Sequence, residues 1–261
     1  NPLVDSRDVR FVLFEMLGLD KINRFEHFAG FDQSVFEDTL QLAEKIAMAH
    51  FYPTNSEGDK IGLKYDPKTC EVKVPEIFHA GYKAFIEAGY HTLAISQEEG
   101  GMGMPIALSF SSMEYFNAGN TSLGMYCSAI PGAAGLLINY GSDELKAKFL
   151  PKLISGEWGG TMCLTEPSAG SDVGALKSKA VKQADGTYLI TGQKIFISNG
   201  EHDMSENMIH PVLARIEGDP EGTKGISIFI VPKYLVNDDG SLGERNDMAC
   251  AGVEHKMGLH G

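Results

Sequence analysis

The stretch MCLTEPSAGSDVG, residues 162–174, decides how this chain is read. It begins apolar and then crowds Thr165, Ser168 and Ser171 together with an acid, a proline, two glycines and an aspartate. Proline and glycine at this density interrupt both helical and strand patterns. The backbone is expected to turn sharply here and to leave its hydroxyls aimed at a ligand.

The sequence changes period across this stretch. Before it, apolar residues recur at helical spacing. In SVFEDTLQLAEKIAMAH (34–50) they are Val35, Phe36, Thr39, Leu40, Ala43, Ile46 and Ala47, with Ser34 as the expected N-cap. PEIFHAGYKAFIEAGY (75–90) repeats the pattern with Pro75 at its start and Gly89 near its end. PIALSFSSMEYFNAGN (105–120) and SDELKAKFLPKLISGE (142–157) follow, the latter opening on Ser142 and two acids. From about Trp158 the period becomes two. ADGTYLITGQKIFISNG (184–200) carries turn signals at 184–186 and 191–193. PVLARIE (211–217) and GISIFIVPK (225–233) are further strands across a Pro/Gly loop. The expected fold class is α+β: an all-helical N-terminal domain over 1–157, then an antiparallel sheet or barrel over 158–261. Strands and helices do not alternate, which disfavours a doubly wound nucleotide fold.

The formal charge of −13 over 261 residues argues against nucleic acid and anionic membrane surfaces as partners. The four cysteines are scattered with no C-x-x-C spacing, which fits a reducing, cytoplasmic setting and neither a disulfide framework nor a zinc site. No signal peptide is visible. Residues 122–141 approach the length of a membrane span, but Pro131, the glycines and polar residues favour a buried helix pair.

Other motifs read blandly. EEGGMGMP (98–105) lacks the lysine and hydroxyl of a P-loop and reads as a flexible connection. Glu201, His202, Asp203 and His210 have no regular ligand spacing and read as a solvated loop, not a metal site. Cys163 has no histidine near it in sequence and reads as a buried thiol on a strand. QKIFISNG (193–200) stands out beside the opening stretch. Both are read as ending an apolar strand with a hydroxyl and running into glycine. Such surroundings suit a flat redox-active ring, with Phe196 as an apolar wall and neutral donors at the ring edge.

CLTEPSAGSDVGAL (163–176) followed by GTYLITGQKIFISNG (186–200) strongly resembles the acyl-CoA dehydrogenase family. The likeness extends to EEGGMGMP, GSDELKAKFLPKLISGEWGG (141–160), GTKGISIFIVPK (222–233) and HKMGLHG (255–261), so it spans nearly the whole chain. DVRFVLFEMLG (8–18) and GEHDMSENMIHPVLARIEG (200–218) resemble its longer, 3-methylmercaptopropionyl-CoA dehydrogenase-like branch. The resemblance implies a helical N-terminal domain, a middle β-barrel and a C-terminal four-helix domain, with FAD between them. It implies that Met162, Leu164 and Thr165 lie against the flavin, with Thr165 bonding its pyrimidine side. Gly170 and Ser171 would meet the FAD phosphates or, for Ser171, the substrate's CoA arm. Phe196 would wall the ring and Ser198 would sit near flavin N5.

The implied activity is FAD-dependent α,β-dehydrogenation of an acyl-CoA in fatty acid β-oxidation, with an electron-transferring flavoprotein as acceptor. The complete enzyme is expected as a homodimer or homotetramer. The family supplies its α-proton base from the C-terminal helices, which lie outside residues 1–261, so no catalytic residue is assigned. Glu166 is expected to hold its turn through hydrogen bonds. A flavin monooxygenase or oxidase of the same fold is the alternative chemistry. A non-catalytic fragment, or a subunit completed by a partner chain, is the alternative status.

Overall fold

The computed structural model describes residues 1–261. The helical half comprises α1 (Ser6–Arg10), α2 (Gln33–Ile46), α3 (Asn55–Ile61), α4 (His79–Glu87), α5 (Ile106–Gly119), α6 (Thr121–Tyr140) and α7 (Asp143–Ile154). Each expected amphipathic run is a helix. At α2 the cap is Asp32, whose carboxylate accepts from the Val35 N–H at 3.1 Å, while Ser34 donates to Asp32. Ser142 caps α7 as expected by accepting from the Leu145 N–H.

Two departures stand out in this half. A short hairpin, β1 (Lys64–Asp66) with β2 (Glu71–Lys73), interrupts the helices, its turn held by the Lys68 N–H on Asp66 at 2.8 Å. Residues 121–140 form one continuous helix instead of a helix pair, with Pro131 inside it. A proline removes a single N–H from the ladder. Here the flanking side chains Cys127, Ile130, Ala133, Ala134 and Leu137 are all buried, and packing holds the axis. α6 is long and apolar enough to cross a membrane, yet in this fold it is the core helix against which α5, α7 and the sheet pack.

The second half contains β3 (Trp158–Gly160), β4 (Lys179–Lys182), β5 (Tyr188–Thr191), β6 (Asn207–Ile216), β7 (Ile226–Pro232), β8 (Tyr234–Val236) and β9 (Leu242–Arg245). The period-two reading is right, but the sheet is mixed and open, not an antiparallel barrel. β6 is its spine. β7 runs antiparallel along one edge of β6, while β3 and β4 both lie parallel to it, and β5 closes a hairpin on β4. Those parallel pairings need no crossover helix, because β5 runs back antiparallel to β4 before the chain enters β6. The main core of 31 buried residues is mostly helical and reaches into the sheet through Trp158, Ile209 and Val236.

The two halves meet where α6 lies on β3. A Cβ added at Gly160 would stand 2.7 Å from the Ala133 Cβ and 3.2 Å from the Ala129 carbonyl, so the strand approaches the helix as only glycine allows. Gly160→Ala should therefore cost about 1–3 kcal/mol by overpacking. Urea unfolding of Gly160→Ala, Ala133→Gly and the double variant measures this. The double variant should lose less stability than the two single losses added together.

Candidate functional site

The opening stretch is an excursion from one edge of β6. The chain leaving β3 stays paired, with the Thr161 N–H on the Ile209 carbonyl and the Cys163 N–H on the Pro211 carbonyl at 2.8 Å. The Leu213 N–H returns a bond to the Cys163 carbonyl at 3.0 Å. The chain then leaves at Leu164 and comes back at Ser178, whose carbonyl accepts from the Arg215 N–H at 2.9 Å. Within the loop, Glu166 and Ala169 exchange backbone hydrogen bonds and make the expected tight turn.

Glu166 closes the neck of the excursion. Its carboxylate accepts from the Lys177 N–H at 2.6 Å and the Ser178 N–H at 3.0 Å, the residues at which the chain re-enters the sheet. Lys194 Nζ donates to the same carboxylate at 2.8 Å and to the Leu164 carbonyl at 3.1 Å. The pair is buried, with side chains 11% and 3% exposed for Lys194 and Glu166. Burial opposes the charge on Glu166, but the bonds from Lys194, Ser178 and Lys177 outweigh it and hold the carboxyl down at about 2.

The second motif lies beside the first. The Ile195 N–H donates to the Thr165 carbonyl at 2.9 Å. Gln193–Gly200 is not the strand end expected from its β-branched run. Phe196 and Asn199 take φ of 56° and 61°, left-handed values that break extended backbone. Asn199 Nδ2 anchors the far side of this turn on the Met125 carbonyl of α6 at 2.8 Å. Gly192, read as a turn residue, is a crossing point instead, for a Cβ there would stand 2.2 Å from Ser178 Oγ.

Phe196 and Ser198 line a broad cleft of about 2570 Å³ bounded by the sheet, by Met125 and Tyr126 of α6, and by the terminal segment. Met162, Leu164, Thr165, Gly170 and Ser171 lie outside that lining. The two motifs are thus neighbours, while the seven residues do not share one wall. The Phe196 ring, 54% exposed, carries Lys256 Nζ over it at 4.1 Å, a cation–π contact that the sequence did not announce. The donor set still suits a flat neutral ring. Thr165 is half-buried, Ser168, Ser171 and Ser198 are exposed, and Gly170 faces nothing nearer than Thr165 Cγ2 at 3.8 Å.

The fold also joins residues that sequence distance had kept apart. His210 Nδ1 lies 2.8 Å from Thr161 Oγ1 and 3.9 Å from Cys163 Sγ, because β6 runs parallel to the strand carrying Cys163. Burial, with Lys233 nearby, pushes the His210 imidazole down to about 4, and burial pushes the Cys163 thiol up. A neutral imidazole beside a protonated thiol is not an activated nucleophile. The quartet read as a solvated loop is largely interior. His202 and His210 are buried, and Glu201 is locked to Lys233 and Arg245. Burial, then Lys233, His210 and His79, lower His202 to about 3. Asp203 turns away to accept from the Val74 N–H at 3.1 Å, so the four do not converge.

Residues 64–157 match the profile of the acyl-CoA dehydrogenase N-terminal domain, and residues 161–259 match that of the middle domain. The chain belongs to the acyl-CoA dehydrogenase family. It is 37% identical to the 3-methylmercaptopropionyl-CoA dehydrogenase of Ruegeria pomeroyi over 97% of this chain and 43% of that protein. It is 42% identical to a broad-specificity linear acyl-CoA dehydrogenase of Mycobacterium tuberculosis over 97% of this chain and 41% of that protein. The butyryl-CoA dehydrogenase structure from Megasphaera elsdenii superposes with a TM-score of 0.61 at 27% identity, covering 76% of this chain and 48% of that one. This member of the acyl-CoA dehydrogenase family therefore spans about two fifths of the length of those curated relatives.

Two measurements check the site. The lowered Glu166 carboxyl makes the unfolded chain bind the extra proton between about pH 4.5 and 2. Its stabilisation is thus complete above the upper value and lost as pH falls through that window. Glu166→Gln, which leaves Lys194 buried without its counter-charge, should lose about 3–5 kcal/mol at pH 7. In urea melts the gap to wild type should narrow as pH falls below 4.5. Iodoacetamide at pH 7 should label the partly exposed Cys70 and Cys250 and spare buried Cys127 and Cys163.

Proposed function

We propose that residues 1–261 are the N-terminal part of an FAD-dependent acyl-CoA dehydrogenase, with a helical domain over 1–157 and a flavin-binding β domain over 158–261. The observation that carries this is the Ile195 N–H on the Thr165 carbonyl, which sets the two motifs edge to edge. Thr165 and Ser198 would give hydroxyl hydrogen bonds to the flavin ring, Met162 and Leu164 would pack against it, and Phe196 would wall it. Gly170 and Ser171 would meet its phosphates, with Ser171 also within reach of the CoA arm. When bound, FAD supplies the acceptor for the β-hydride of the thioester, and an electron-transferring flavoprotein takes the electrons onward.

Loss of the α-proton needs a carboxylate free to accept it. Glu166 is not free, since both its oxygens already accept hydrogen bonds and its side chain is 3% exposed. The resemblance to the family supports a base supplied from outside residues 1–261, by helices following them or by a partner chain. The complete enzyme would be a cytoplasmic homodimer or homotetramer.

Thr165→Val removes one hydrogen bond to the ring and should weaken FAD binding by about 2–10-fold without unfolding the sheet. Fluorescence titration of the purified chain with FAD measures this, and an unchanged affinity would remove Thr165 from the site. The flavin-loaded chain should not bleach anaerobically with acyl-CoAs. Bleaching abolished by Glu166→Gln would overturn the assignment of the base. Fast reoxidation by oxygen in the completed enzyme would favour a monooxygenase or oxidase instead.

A further inference from the structure

Lys194, like Lys233, is a lysine buried against a glutamate, but its pair joins two motifs. It sits in the middle of the second motif, yet both its hydrogen bonds go to the first, to Glu166 at 2.8 Å and the Leu164 carbonyl at 3.1 Å. The next residue donates between those two partners, through the Ile195 N–H on the Thr165 carbonyl at 2.9 Å. Two successive residues of one loop thus grip three successive residues of the other. The bridge stands among buried groups, where a charged hydrogen bond is directional and little screened by salt.

The backbone just beyond Lys194 needs such a grip. Phe196 and Asn199 hold left-handed backbone, at φ of 56° and 61°. For a bulky aromatic that conformation is costly and persists only where its surroundings enforce it. The enforcement is at the two ends of the turn. Asn199 Nδ2 is fixed on the Met125 carbonyl of α6, and Lys194 is fixed on the excursion. Between them lie Phe196, Ile197 and Ser198, with Phe196 and Ser198 both lining the cleft. Without the Lys194 anchor, the turn would be held at its far end by Asn199 and at its near end by one backbone hydrogen bond.

We propose that Lys194 is a positioning residue, whose bridge to Glu166 and Leu164 sets the spacing between the Met162–Gly174 excursion and the Phe196–Asn199 turn and so the relative placement of Thr165 and Ser198. The proposal rests on the reading that these two residues face one flavin. Lys194 borders the cleft, but both its hydrogen bonds go to protein atoms, Glu166 and the Leu164 carbonyl. Its effect on binding comes through the separation of two loops that would hold opposite parts of the same ring. Lys194→Met keeps the apolar stem and removes the ammonium, whereas Lys194→Arg keeps a charge able to reach both oxygens.

The test compares wild type, Lys194→Met, Lys194→Arg and Gly160→Ala as residues 1–261, each judged folded by circular dichroism. Two quantities are read from each: exchange of the Ile195 amide and the Kd for added FAD. In Lys194→Met the Ile195 amide should exchange about 100-fold faster than in wild type, and FAD should bind about tenfold more weakly. Lys194→Arg should recover most of both effects. Gly160→Ala, destabilised at the contact between α6 and β3, should change neither by more than about twofold. If Lys194→Met matches wild type in both readouts, or if Gly160→Ala weakens FAD equally, the positioning role is wrong. Should Lys194→Met not fold, Lys194→Gln carries the same comparison. If wild type takes up no FAD, the flavin reading of residues 1–261 fails, and faster Ile195 exchange in Lys194→Met but not in Lys194→Arg would still support the spacing role. Retained protection would end that role too.

Discussion

One buried carboxylate organises the β half. Glu166 sits where the chain departs from the edge of β6 and accepts from the two amides at which it returns, so the neck of the loop is closed by a single side chain. A charge in that position is costly to bury unless both its oxygens are hydrogen-bonded. Here they accept from two backbone N–H groups and an ammonium, and the outcome is a carboxyl held at about 2 despite burial. Because Lys194 belongs to the other loop, the electrostatics of one residue fix the geometry of both.

The second organising contact is steric. α6 is apolar around much of its surface because it is packed by α5, α7 and β3, and the absence of a side chain at Gly160 sets how near the sheet can come. The Asn199 bond to Met125 is made across that same boundary. The loop lining the cleft is therefore referenced to the helices as well as to the sheet.

Much of this was legible in residue order. Helical spacing located α2, α4, α5 and α7, alternation located β5, β6 and β7, and Glu98–Pro105 is the expected connection into α5. The resemblance singled out the two stretches that the fold brings together. The features that stayed hidden share one cause, dependence on contacts far apart in sequence. Alternation reports which face of a strand is buried but not its direction relative to a neighbour, so the parallel edge of β6 could not be seen. The bend at Phe196 opposes its own β-branched neighbours and is imposed by anchors on Glu166 and Met125. His210 lies 47 residues from Cys163 and meets it only through strand register. The interior position of His202 comes from Tyr82 and Tyr126, whose rings pack against it at centroid distances of 6.2 and 5.2 Å.

The way the excursion is mounted also bears on how such a chain diversifies. Pairing along β6 is established before the loop, through Cys163, and again after it, through Ser178 and Ala180. Neither set of bonds depends on the number of residues between. Lengthening a closed loop raises its entropic cost only slowly, so the exposed tip around Pro167 and Ser168 can gain or lose residues while strand register stays unchanged. The tip can then vary while the frame beneath is inherited intact.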